Sequence, residues 1–212
     1  MQPSTVISDG LLALACLAGA GWLLRNQQFT AAQQATRLAA VCGLLLTALA
    51  AAVGSLRFAG MDELIELHRS LSNASGAIGL PLLVFAALAL SRRWQWNTKL
   101  WLALAAVLGA GMFLADWSEQ RATYGLLITL LSLCLLLLAG LAQWPRKAPI
   151  NLSVGVTGLF LLAGIVVGSQ GSIGPLLRVD LFHALLMPAY LLLARLMIVL
   201  AKTESPCNKP HA

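Results

Sequence analysis

The sequence predicts an all-α polytopic membrane protein of seven transmembrane helices, with the amino terminus outside and the carboxyl terminus cytoplasmic. Three observations predict it. Of the 212 residues, 59% are hydrophobic and only 10% are charged, against about 25% charged in a soluble domain. Apolar runs of the length a bilayer requires, about 20 residues, recur along the whole chain. The segments between them are short and polar, and none is long enough to fold alone.

The runs fall at 6–24, 38–58, 70–90, 100–116, 122–143, 152–168 and 176–201. Arg25 to Gln28 ends the first, and Met61-Asp62-Glu63 separates the second from the third. Ser91-Arg92-Arg93, Trp117-Ser118-Glu119 and Trp144-Pro145-Arg146-Lys147 supply the next three breaks, and the Gly- and Ser-rich Ser169 to Pro175 the last. The first run has no basic segment before Arg25 and carries Asp9, so it reads as an uncleaved helix, not a signal peptide. Residues 1–201 therefore form one transmembrane domain, and 202–212 a short cytoplasmic tail.

In a soluble chain a net charge of +6 would suggest nucleic acid; here it reports topology, and no nucleic-acid partner is expected. With the amino terminus outside, ten Lys and Arg residues fall on the inner face and four, Arg57, Arg69, Arg121 and Arg178, on the outer. That is the bias of cytoplasmic loops. Together with the short loops it suggests a bacterial inner membrane. The acids segregate the other way, with Asp9, Asp62, Glu63, Glu66, Asp116, Glu119 and Asp180 outside. Either a solvated rim or an outward-facing site accounts for them.

Cys16, Cys42 and Cys134 lie within runs and Cys207 in the tail, so neither disulfides nor a cysteine metal site is expected. Trp94, Trp96, Trp101, Trp117 and Trp144 sit at run ends, where an aromatic belt anchors depth. Gly164 and Gly168 form a Gly-x-x-x-Gly pair, which predicts close helix contact inside the bundle. Val53-Gly54-Ser55 before His68 is echoed by Val167-Gly168-Ser169 before His183, either a duplicated hairpin or a coincidence.

Ionisable groups inside spans face a bundle interior or a water-filled cavity by default. In the last helix Asp180, His183, Met187 and Tyr190 follow a helical stripe, with His183 about 10 Å along it at 1.5 Å per residue. In the third, His68, Ser72, Ser75, Gly76 and Gly79 form a narrow polar stripe of small residues, above a kink expected at Pro81. Asp9 and Asp116 match His68 and His183 in depth, though Asp9 also reads as a helix cap and Asp116 as an interfacial group. If these converge, His183, His68 and Asp9 are candidate metal ligands, with Asp116, Asp180 and Ser72 as catalytic groups; imidazole with carboxylate suits zinc.

Two segments, Glu66 to Asn73 and Asp180 to Leu186, resemble the seven-helix membrane hydrolases that include the alkaline ceramidases and adiponectin-receptor-like proteins. The resemblance covers under a tenth of the chain. It implies zinc held by three histidines, two of them four apart in the last helix, assisted by Ser and Asp. Of these His183 carries over; position 179 is Val, and Asp116 or Asp180 would stand in for a missing group. The function expected first is hydrolysis of a lipid or lipid amide. The alternatives are a haem protein with His68 and His183 as axial ligands, a cation- or amine-binding transporter, and a scaffold without a site. The bilayer, with a lipid-like substrate, is the expected partner; the sequence leaves the oligomeric state open.

Overall fold

The computed structural model describes residues 2–202. Seven helices are long and apolar enough to cross a membrane: α1 (Pro3–Arg25), α2 (Ala31–Phe58), α3 (Asp62–Arg92), α4 (Thr98–Trp117), α5 (Arg121–Leu141), α6 (Lys147–Val167) and α7 (Arg178–Ala201). A two-stranded hairpin, β1 (Ser172–Ile173) with β2 (Leu176–Leu177), joins α6 to α7. The expected tail, with Cys207, lies outside the described residues apart from Lys202.

Each apolar run becomes one helix, and the largest difference is at α3, which starts at Asp62 instead of near residue 70. Asp62 and Glu63 occupy its first turn, where negative charge opposes the helix dipole. Arg69 then pairs with Glu66 at 3.0 Å. These charges lengthen the helix beyond its apolar part.

The bundle is held from the centre by the second half of α3, Leu80–Arg92, which packs on α2, α5 and α7. Leu83, Val84, Ala86, Ala87 and Ala89 there have no solvent exposure, and Leu44, Leu193, Leu196 and Met197 surround them equally buried. Full burial of each leucine contributes roughly 1.5–3 kcal/mol when the alternative is water, and less when it is lipid. Gly43 lets α2 and α3 approach: a Cβ there would lie 2.7 Å from the Gly79 carbonyl oxygen. α1 lies between α2 and α7, whereas α4 is peripheral, with only Trp101, Leu108 and Ala115 buried.

Two helices contain wide π-turns, Ser75–Gly79 in α3 and Leu162–Val167 in α6. Pro81 explains the first. Its ring removes the N–H that would bond the Ala77 carbonyl and crowds that oxygen, and the π-turn above it absorbs the misfit. The disturbance expected at Pro81 includes this local widening just above it. The second ends at Gly168, whose φ of 67° an L side chain would resist.

Three other expectations change. Asp9 is no cap, because α1 begins at Pro3 and Asp9 lies in its interior at 1% exposure. Gly164 makes no close helix contact: it is exposed, and nothing lies within 4 Å of where its Cβ would be. The two Val-Gly-Ser segments differ locally, since Gly54 is helical and Gly168 ends a helix. Cys16, Cys42 and Cys134 are free thiols, as expected. Of the belt tryptophans, Trp117 and Trp144 are each 81% exposed, but Trp101 is buried against Trp96 with ring centroids 5.0 Å apart.

Candidate functional site

The starts of α1, α3 and α7 meet the ends of α2 and α6 at one end of the bundle, where the Gln2 N–H donates to the Phe58 carbonyl at 3.1 Å. Here the first half of α3 packs mainly on α2 and leaves the centre unfilled. The result is a cavity of about 710 Å³ lined from six helices. Arg57, Ser169 and Gln170 stand at its mouth, and Asp9, His68, Ser72 and His183 lie below them. Thr47, Ser75 and Tyr190 form the floor, and Leu12, Leu80, Phe160, Phe182 and Leu186 supply apolar wall.

His183 is placed by the helix stripe that the sequence displays, but its partners come from α1. Its Nδ1 lies 3.2 Å from Ser8 Oγ and 3.3 Å from Asp9 Oδ1. Ser8 Oγ is also 2.9 Å from Asp180 Oδ1 and 3.2 Å from the Thr5 carbonyl. A carboxylate and a carbonyl only accept, so the single Ser8 proton goes to one of them and Ser8 can only accept from His183. The proton of neutral His183 therefore sits on Nδ1, and Nε2 carries the lone pair on the side of the ring without a partner among the described residues.

His68 reaches the same state by another route. Its Nδ1 lies 3.1 Å from the Ala50 carbonyl oxygen, which must accept, so neutral His68 also carries its proton on Nδ1. Gly54 makes room for it beside Asp9: a Cβ at that position would lie 2.7 Å from His68 Cε1 and 2.6 Å from Asp9 Oδ2. Asp9 Oδ2 is buried and has no hydrogen-bond partner among the described residues. That is a costly state for a carboxylate oxygen and marks a place where a ligand donor would be welcome.

The structure thus brings together Asp9, His68, Ser72 and His183, and joins Asp180 to them through Ser8. It does not bring Asp116, which ends α4 on the bundle's edge and pairs with Arg121. Met187 packs against the core and does not line the cavity, its place on the α7 stripe being taken by Leu186. Ser75 turns to α2, 2.8 Å from Thr47 Oγ1, and Thr47 in turn lies 3.4 Å from the Tyr190 hydroxyl. Sequence reasoning missed Ser8 and Gly54. Ser8 had a signal, since it adjoins a buried aspartate; Gly54 had only its glycine.

A zinc of the kind the hydrolase resemblance implies needs three protein ligands. Among the described residues no three His, Cys, Asp or Glu side chains gather into a group able to hold a metal ion. Asp180 is engaged by Ser8, Asp116 is elsewhere, and both Nδ1 atoms are bonded. The residues present do not fit that zinc site. Nor is Ser8 an activated nucleophile, because serine and acid share one imidazole nitrogen where a catalytic triad places them on opposite ones.

A family of unknown function, DUF6962, matches residues 4–202, and the chain belongs to it. No curated protein and no solved structure matches the chain.

Proposed function

We propose that this member of the DUF6962 family is a multi-pass membrane protein, amino terminus outside, which hydrolyses a lipid or lipid amide at a His/Asp site open to the non-cytoplasmic face. The basic bias toward the opposite face and the short loops fit a bacterial inner membrane. The observation that carries the reading is His183, whose Nδ1 lies within 3.3 Å of both Ser8 Oγ and Asp9 Oδ1 and whose ring lines a cavity that is polar at its mouth and apolar in its walls.

An imidazole held in that tautomer is a general base. His183 Nε2 takes a proton from water, the water oxygen attacks the ester or amide carbon, and the same proton passes to the departing oxygen or nitrogen as that bond breaks. Asp9 and Asp180, the second acting through Ser8, favour the imidazolium between the two transfers. Ser72 on α3, which lines the same cavity, offers a hydroxyl to the carbonyl oxygen. The resemblance of Glu66 to Asn73 and Asp180 to Leu186 to membrane hydrolases supports the reaction class, and the count of ligands among the described residues supports a route without zinc.

The test uses the whole protein in detergent, offered long-chain esters and amides with and without a chelator. Turnover is expected to survive chelation and to fall about 10²- to 10⁴-fold in His183→Gln, the range of a general base. Turnover indifferent to His183→Gln overturns the reading, and turnover lost to chelation and restored by zinc overturns its metal-free part. One observation favours a second reading: the unpartnered Asp9 Oδ2 suits a bound cation or amine. Thermal stabilisation by amines in wild type but not in Asp9→Asn, without turnover of any lipid, would decide for it.

A further inference from the structure

The cavity is open at its side as well as at its end. Ser72 and Gly164 line it, yet both are exposed, and Ser72 lies ten residues past Asp62, about 15 Å down the helix at 1.5 Å per residue. The opposite flank belongs to α5, where Thr129 lines the cavity while Leu126 and Leu127 beside it are 57% and 62% exposed. Between Ile65 and Ala74, α3 has no fully buried residue and packs on α2 without an extensive contact to α5 or α6; α3 meets α5 only from the next turn, Ser75–Gly79.

Each side of the gap carries a glycine within a π-turn, Gly76 in Ser75–Gly79 and Gly164 in Leu162–Val167. Both line the cavity, and a Cβ on either would meet nothing within 4 Å. π-turns recur at functional sites. Pro81 accounts for the one in α3, but no proline stands behind the one in α6, and Gly164 gives no helix contact in return. Leu80, Phe160 and Leu186 continue the same passage inward as apolar wall.

We propose that this side opening admits one unbranched alkyl chain from the surrounding membrane, passing between Gly76 and Gly164, with the polar end of the molecule at His183. The inference rests on the reading of the chain as a membrane protein acting on a lipid, and it makes Gly76 and Gly164 the residues that set how long a chain is accepted.

The experiment is photolabelling, which needs no turnover. The full-length protein in phospholipid vesicles is exposed to a long-chain fatty amide bearing a diazirine at its methyl end, and to a butyl analogue. The long probe is expected to label Thr129, Phe160 or Leu80. Gly76→Leu and Gly164→Leu, which fill open space, are expected to lower that labelling roughly tenfold, the scale on which a hydrophobic pocket discriminates a misfit, while Gly→Ala at either position and the butyl probe change little. Long-probe labelling confined to Ser169 and Gln170, or unaltered by both leucines, overturns the inference. If a leucine variant fails to fold, the wild-type labelling map decides alone. Labelling of the wall without turnover leaves the inference standing and sinks the hydrolase reading; turnover with labelling only at the mouth does the reverse.

Discussion

Asp9 Oδ1 lies 3.3 Å from His183 Nδ1, which joins the second turn of the first helix to the second turn of the last, both side chains buried. The pair is asymmetric. Removing Asp9 leaves a neutral imidazole still bonded to Ser8, whereas removing His183 strands a buried carboxylate whose other oxygen already lacks a partner. Leaving a buried acceptor without its donor costs about 1–3 kcal/mol, and more when the acceptor is charged. His183→Ala is therefore expected to melt well below Asp9→Ala in detergent, and the double variant to recover part of the loss. Equal melting temperatures for the two single variants would contradict this.

How much of this was legible beforehand differs by residue. Seven helices follow from apolar run length, because a bilayer imposes a minimum span that composition alone reveals. The α7 stripe correctly aims His183 and Tyr190 at one place, since helical periodicity fixes which residues share a face. Periodicity says nothing of which helices adjoin, so Asp9 and Asp116, equal in apparent depth, part company: α1 sits against α7 and α4 on the rim. Proline forecast the disturbance in α3, but no residue type forecast the π-turn of α6.

In the proposed reaction Ser8 is a positioning residue, because its Oγ lies 3.2 Å from His183 Nδ1 and 2.9 Å from Asp180 Oδ1. Ser8→Ala removes that acceptor and leaves only Asp9 beside the ring. Lipid turnover is expected to drop about tenfold, equivalent to about 1.4 kcal/mol or one neutral hydrogen bond. Asp180→Asn in the Ser8→Ala background is expected to add little. Additive losses from the two changes, measured as a double-mutant cycle, would show that Asp180 acts independently.

Gly54 and Asp116 give opposite predictions. Gly54→Ala puts a methyl 2.6 Å from Asp9 Oδ2 and 2.7 Å from His68 Cε1, so it is expected to cost about 1–3 kcal/mol and to abolish most turnover. Asp116→Asn disturbs only a partly exposed pair with Arg121. It is expected to change stability by less than about 1 kcal/mol and turnover not at all. Assay and thermal melt of both variants check this, and a strong loss of turnover in Asp116→Asn would contradict the placement of the site.

Topology is tested by thiol labelling in sealed cells, with the three described native cysteines and Cys207 replaced by serine. Gln170→Cys, at the cavity mouth, is expected to react with a membrane-impermeant maleimide from outside, and Trp144→Cys, 81% exposed at the other end, only after lysis. The reverse pattern would place the cavity on the cytoplasmic face.

The proton on His183 is the point on which the chemistry turns, and nitrogen NMR of the protein labelled with ¹⁵N-histidine reads it directly, with His183→Gln assigning the resonance. At neutral pH the Nδ1–H tautomer is predicted, its Nε2 a bare lone pair, moving toward a mixture of tautomers in Ser8→Ala/Asp9→Asn. A neutral His183 protonated on Nε2, or a tautomer indifferent to Ser8 and Asp9, would mean that nothing in this cavity has prepared the imidazole to accept a proton from water.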